Sequence, residues 1–296
     1  MRVLSFVTGA LAALATPLSA ATIDVLWTSG TFTYNNNIQN VANAAATYDP
    51  AGDGALTWNL TMWDGGAVDF TSYDVLVVGS TYGVDQNING NGFFGLGVSA
   101  QGVLDNKAGI EAARGNRTFL SGQDADWHDL NGPRARSDGP RGFMINAVNW
   151  AASGTGLGIV SMTDRHLSGP ASNRGWWNDQ DSFLKDEVGT SAFAYDSEVV
   201  NIGPGQDTFP VNEGLTSRGL SNWRTSSHAC FTNVATYTAI NLAPFRTDTC
   251  GVTLVTAAAA DGDTGGGDTP SPVPLPASAF LLIAALTGLR ATRRRR

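Results

Sequence analysis

The sequence predicts an α/β domain built on a doubly wound, mostly parallel sheet with helices on both faces. Two observations predict it. Four or five short apolar runs alternate with segments of helical periodicity between residues 22 and 164. One of those runs, DVLVVGS (Asp74 to Ser80), is continuously apolar and ends in glycine, which is the pattern of a central strand covered on both faces. The composition, 42% hydrophobic and 15% charged with 35 glycines, fits a loop-rich globular chain rather than a disordered one.

In chain order, IDVLW (Ile23 to Trp27) is the first buried strand, and a Thr/Ser/Gly/Asn loop follows it. IQNVANAAATY then places Ile38, Val41, Ala42 and Ala45 on one helical face. TWNLTMW alternates as a strand, and DVLVVGS is the next. SAQGVLDNKAGIEAARG (Ser99 to Gly115) is a helix whose inward side is Val103, Ile110 and Ala113. RTFLSG is a strand, PRGFMINAVNWAASG a helix and LGIVSMTD a strand. Beyond Asp164 the pattern loosens, with FLKDEVG a short helix and SAFAY and EVVNIG strands near an edge.

The two ends speak to address. MRVLSFVTGALAALATPLSAAT has one early arginine, an apolar stretch, Pro17 and then small residues, the order of a secretory signal peptide over residues 1–21 with cleavage after Ala20 or Ala21. All 26 acidic residues lie between Thr22 and Ser271 with only 12 of the 18 basic ones, so this body carries a net charge of −14. Phosphate neutralisation has no counterpart there, which argues against nucleic acid as a partner. Export makes Cys230 and Cys250, the only two cysteines, most simply one disulfide, contributing about 3 kcal/mol. With no second cysteine pair, a zinc-thiolate site is disfavoured.

The globular domain is expected over 22–258, a Gly/Asp/Pro linker over 259–272 and a distinct tail over 273–296. The apolar core of the tail, Ala277 to Leu289, has 13 residues, fewer than the roughly 20 of a free-standing span. A helix stretched from Pro274 to Thr292 can just reach across, with the arginines from Arg293 to Arg296 held on the cytoplasmic side. Val273, Pro274, Leu275, Pro276 and Ala277, then the apolar run, then arginines, resemble the VPLPA-CTERM sorting signal, a relative of the PEP-CTERM signals. The resemblance implies passage through the inner membrane, removal of the tail by an exosortase-type membrane protease after signal peptidase has acted, and arrival at the cell surface or its polysaccharide. The alternative is a plain membrane anchor.

Within the body, VLVVGS, the turn FLSGQDADWH and the stretch FPVNEGLTSRGLSNWRTSSHACF resemble class I glutamine-amidotransferase-like proteins, including the ThuA-like branch. The resemblance implies a flavodoxin-like fold. Catalytic members of that family carry a cysteine in the strand-to-helix turn, where this chain has Ser121, Gly122, Gln123 and Asp124, so the resemblance does not extend to their Cys-His chemistry. GxSxG is also absent from the sequence.

Two polar clusters follow expected strands, where open α/β sheets form their ligand crevices. SGQDADWHD supplies Asp124, Asp126, His128 and Asp129, which can bind a divalent cation or supply a general base, or else simply cap the next helix. TDRHLSGPASNRGWWNDQD supplies Asp164, His166, Trp176 and Trp177, and its adjacent tryptophans can stack on sugar rings or be ordinary core residues. His228 completes the three histidines, and their meeting at the sheet edge would make a metal or acid–base site. Asp124, His128 and His166 are the catalytic candidates, and Asp126, Asp129, Asp164, Trp176, Trp177 and His228 the ligand-binding ones. The sequence implies no cofactor beyond a possible divalent cation. Its first functional reading is a non-catalytic exported surface or matrix protein that binds carbohydrate or a divalent ion. The second is a secreted hydrolase working through Asp and His.

Overall fold

The computed structural model describes residues 21–29, 32–80, 98–131, 139–162, 177, 181–188, 191–223, 225–232 and 234–256. Sixteen elements are used below. They are β1 (Thr22–Thr28), α1 (Phe32–Ala45), β2 (Thr57–Trp63), β3 (Val75–Val78), α2 (Val98–Asp105), α3 (Lys107–Ala113), β4 (Arg114–Ser121) and α4 (Ala125–Asn131), followed by α5 (Pro140–Ala152), β5 (Leu157–Ser161), α6 (Lys185–Val188), β6 (Ala192–Ser197), β7 (Asn201–Ile202), β8 (Ser227–Phe231), β9 (Tyr237–Phe245) and β10 (Asp248–Thr256). The signal segment and the tail, including Val273 to Ala277, lie outside the described residues. Among the described residues no helix is long and apolar enough to cross a membrane.

The strands form one ten-stranded mixed sheet in the order β2-β1-β3-β5-β4-β10-β8-β6, with β9 paired to both β10 and β7. Strands β2, β1, β3, β5 and β4 are parallel neighbours, and every pairing beyond β4 is antiparallel. The expected doubly wound, mostly parallel, flavodoxin-like sheet is therefore corrected to a mixed sheet. The physical reason lies in the connections. Parallel neighbours need a crossover of a dozen or more residues, whereas β9 and β10 are joined by Arg246 and Thr247 alone, a loop that permits only an antiparallel pair. Of the α-helices described, only the four-residue α6 follows β5.

Alternation along the strands divides the core between the two faces. Val25, Trp27, Val75, Val77, Phe119 and Val160 pack with residues of α1, α4 and α5, while Leu26, Leu76, Val78, Leu120 and Ile159 pack with Val103, Ile110 and Val188 from α2, α3 and α6 and with Leu184 just before α6. In α1 the buried Ile38, Val41, Ala42 and Ala45 are the face its periodicity specifies. Helix α5 starts with Pro140 in its first turn and is buried along most of its length. Its Asn146 donates to Val211 O and Glu213 O, and its Asn149 accepts from the Trp58 indole. The helix expected over 99–115 is two helices broken at Asn106, whose side chain donates to Gly65 O and Gly102 O.

The expected disulfide is present: Cys230 on β8 and Cys250 on β10 are bonded, with Cα atoms 5.7 Å apart, between strands that pair at Phe231 and Gly251. On the opposite face of the sheet from α1, α4 and α5, Arg114 forks onto Glu187, and the Tyr237 hydroxyl donates to Glu187 at 2.6 Å. Burial alone would raise the Glu187 pKa, but the bonds from Arg114 and Tyr237 outweigh it and hold the carboxyl below its ordinary 4.5. Burial and the Glu187 contact push the Tyr237 hydroxyl well above its ordinary value.

A carboxyl depressed on folding contributes stability above its unfolded pKa and loses it as pH falls through the folded one. Glu187→Gln is therefore expected to unfold at lower urea than wild type at pH 7. The two curves should converge as the pH drops below 4.5, which urea titrations at a series of pH values would show.

Candidate metal centre

The site begins at a backbone contact. At positions 253–255 β10 has β9 on one edge and β4 on the other, and at Gly251 the β4 place is taken by β8. Gly122, just past β4, stands where the two meet. Its N–H donates to Val252 O at 2.7 Å, and its carbonyl accepts the His228 N–H at 2.7 Å. A Cβ at this residue would lie 1.9 Å from Ala229 O, so only glycine allows β8 to approach this closely. Two residues on from this junction is Asp124, and one residue before Ala229 is His228.

Asp124 immediately precedes α4, and its carbonyl accepts the His128 N–H at 3.0 Å, so the two side chains stack one helical turn apart. The segment is a strand-to-helix turn at the carboxyl end of a parallel strand. Asp124 is fully buried, and His128 and His228 are 7% and 8% exposed. His128 Nε2 lies 3.0 Å from Asp124 Oδ1 and His228 Nε2 lies 3.4 Å from Asp124 Oδ2. By geometry neither carboxylate oxygen receives a well-aligned hydrogen bond, so both imidazole nitrogens lie in close contact with it without one. The imidazole rings are parallel within 6° at 6.4 Å, and one ligand atom from each of the three residues falls within 4.8 Å of the others.

The surroundings fix both rings. His228 Nδ1 is 2.8 Å from Asp196 Oδ1. A carboxylate only accepts, so Nδ1 carries a proton there, and Nε2 is the ring atom turned toward Asp124. His128 packs on the buried Trp223, and its Nε2 is 3.1 Å from Thr225 O. Thr225 takes φ 85°, a left-handed value costly for a β-branched residue, and its N–H donates to the Glu198 carboxylate. Strain of this kind persists where neighbours over-determine the backbone, and it gathers at functional sites. Burial alone would raise the Asp124 pKa, but the two imidazoles hold it below its ordinary value. Burial alone would lower that of His228, and Asp124 with Asp196 raises it instead.

The other expected residues take different places. Asp126 Oδ2 accepts the Ser80 N–H at 2.8 Å and ties α4 to the end of β3. Asp129 receives a fork from Arg141 at 3.1 Å and the Asn37 amide at 3.2 Å, joining α1, α4 and α5. Trp177 is wholly buried, donates to Ser161 Oγ at 2.6 Å and packs on Phe231, so it offers no open ring to a sugar. Asp164, His166 and Trp176 lie outside the described residues. A cavity of about 470 Å³ at the β9–β10 hairpin, lined in part by Tyr237, Phe245 and Asp248, includes none of the three clustered residues.

Asp196, Glu198 and Thr225 were not legible as site residues. Asp196 and Glu198 belong to an edge stretch with no motif, and Thr225 contributes a backbone carbonyl. The donor set, two imidazoles and a carboxylate, can hold a metal ion. Comparison with protein families, with curated proteins and with solved structures finds no match to this chain.

Replacement of Gly122 by alanine should destabilise the protein by about 1–3 kcal/mol, the range of an overpacked interior. It should also push β8, and His228 with it, away from Asp124. Urea unfolding reports the first effect, and the chemical shifts of the His228 ring protons report the second.

Proposed function

We propose that this chain is an exported surface protein whose folded domain holds a divalent transition-metal ion on Asp124, His128 and His228. The observation that carries the metal reading is a fully buried carboxylate faced by two imidazole nitrogens at 3.0 and 3.4 Å, brought together from α4 and β8. Metal–nitrogen and metal–oxygen bonds of zinc are about 2.0–2.2 Å, which sets tetrahedral ligand–ligand edges of about 3.3–3.6 Å; the His228 contact with Asp124 Oδ2, at 3.4 Å, has that length, and the His128 contact with Oδ1, at 3.0 Å, is shorter. Two imidazoles beside one carboxylate favour zinc or a neighbouring transition metal over calcium, whose ligands are oxygens.

Zinc competition against a chromogenic chelator tests the reading on the full chain. One ion should bind per chain, and Asp124→Ala, His128→Ala and His228→Ala should each weaken binding at least a hundredfold. Equal binding by wild type and all three variants overturns it. A metal-dependent hydrolase is the second reading, supported by the three-ligand count, which in catalytic zinc sites leaves one position for water. Zinc-dependent turnover of ester or phosphoester probes would move the reading from binding to catalysis.

Export and sorting rest on the N-terminal apolar segment and on Val273 to Ala277 with the apolar run and arginines behind them. The partners are then signal peptidase, an exosortase-type protease and the surface polysaccharide. Intact mass of the protein from its native host should show a species without the first 20 or 21 residues and without the arginine-tipped tail, recovered outside the membrane fraction. Retention of Arg296 in the membrane fraction would mark a simple anchor instead.

A further inference from the structure

We infer that Asp196 is the positioning residue of this centre: its carboxylate holds the His228 ring so that Nε2 faces the metal position beside Asp124. The inference rests on the metal reading above. Its first support is the contact itself, Nδ1 to Asp196 Oδ1 at 2.8 Å. Histidines that bind metals commonly donate the remaining ring N–H to a carboxylate, which fixes tautomer and ring angle together.

The second support is independent and lies in the strand register. Strands β6 and β8 pair Ala194 with Ala229 and then Ser197 with Ser227, so β6 advances three residues while β8 advances two. Regular pairing would set Tyr195 opposite His228. The extra residue is a β-bulge opposite the histidine, a device that re-aims a side chain at the cost of one ladder position. Here the re-aimed side chain is that of Asp196.

The third support is exposure. The Asp196 side chain is 74% exposed, and an exposed ion pair contributes little to folding. Stability gives no reason for a bulge at this point, whereas orientation of a metal ligand does. Glu198, two residues further on, is taken up by the Thr225 N–H.

The test uses the full chain with zinc affinity and the visible absorption spectrum of bound Co²⁺ as readouts. Asp196→Ala should weaken zinc binding about 10- to 100-fold and alter the Co²⁺ spectrum, while the metal-free protein melts as wild type does. Asp196→Asn keeps an acceptor oxygen in place and should recover most of the lost affinity. It also keeps the test readable if the alanine variant fails to fold. Asp248→Ala, an exposed carboxylate at the β9–β10 turn, should bind as wild type does. Wild-type affinity and spectrum in both Asp196 variants, with His228→Ala unable to bind, would overturn the positioning role and leave the metal centre standing. Wild-type binding by His228→Ala and Asp124→Ala would overturn the centre itself, and this inference with it.

Discussion

The backbone of Gly122 donates to Val252 on one side and accepts from His228 on the other, and the rest of the architecture is arranged around that pair of hydrogen bonds. It is where a parallel half-sheet meets an antiparallel one. A side chain there would collide with Ala229 O, so the two halves can meet in this register only because the residue lacks one. The same contact sets the start of α4 beside β8. Asp124 and His228, over a hundred positions apart in the chain, face each other as a direct result. The disulfide two residues beyond His228 holds β8 against β10 and keeps the contact closed.

The N-terminal half of the fold was legible because its elements are each specified locally. Four buried valines and leucines in a row make β3, and the spacing of Ile38, Val41, Ala42 and Ala45 makes the inner face of α1. The C-terminal half was not, because what defines it is pairing between distant strands. The β9–β10 hairpin turns on Arg246 and Thr247, with Arg246 at φ 56°, where asparagine or glycine would have announced a tight turn. Without that signal the two longest of the described strands read as featureless chain. The strand–helix alternation of the N-terminal half was then extended to the whole sheet, a parallel topology that the C-terminal connections do not allow.

The site was half visible for related reasons. Asp124 and His128 are four residues apart after an obvious strand, and such a spacing becomes one helix face once α4 forms. His228 was a candidate by residue type, but its company depended on the Gly122 contact. Asp196 owes its place to a bulge in β6, and Thr225 contributes a carbonyl through a left-handed backbone. Neither a one-residue slip in strand register nor the sign of a dihedral angle leaves a mark on composition or periodicity. Asp129 shows the converse. It stands in the same sequence cluster as the metal candidates and is taken up by Arg141 and Asn37, a structural tie that residue type alone does not separate from a ligand.

The position of β10 has a consequence for how the protein is made. This last described strand pairs with β4, β8 and β9, so it sits in the interior of the sheet rather than at its margin. The parallel strands can assemble from near neighbours as they emerge, but β4 keeps an open edge and β8 lacks its inner partner until residues 248–256 arrive. Closure therefore waits on contacts that span more than 130 positions, as between Phe119 and Val255. Such long-range pairing is slow, and it leaves strand edges exposed to other chains in the interval. The sheet can close only once synthesis has passed this strand.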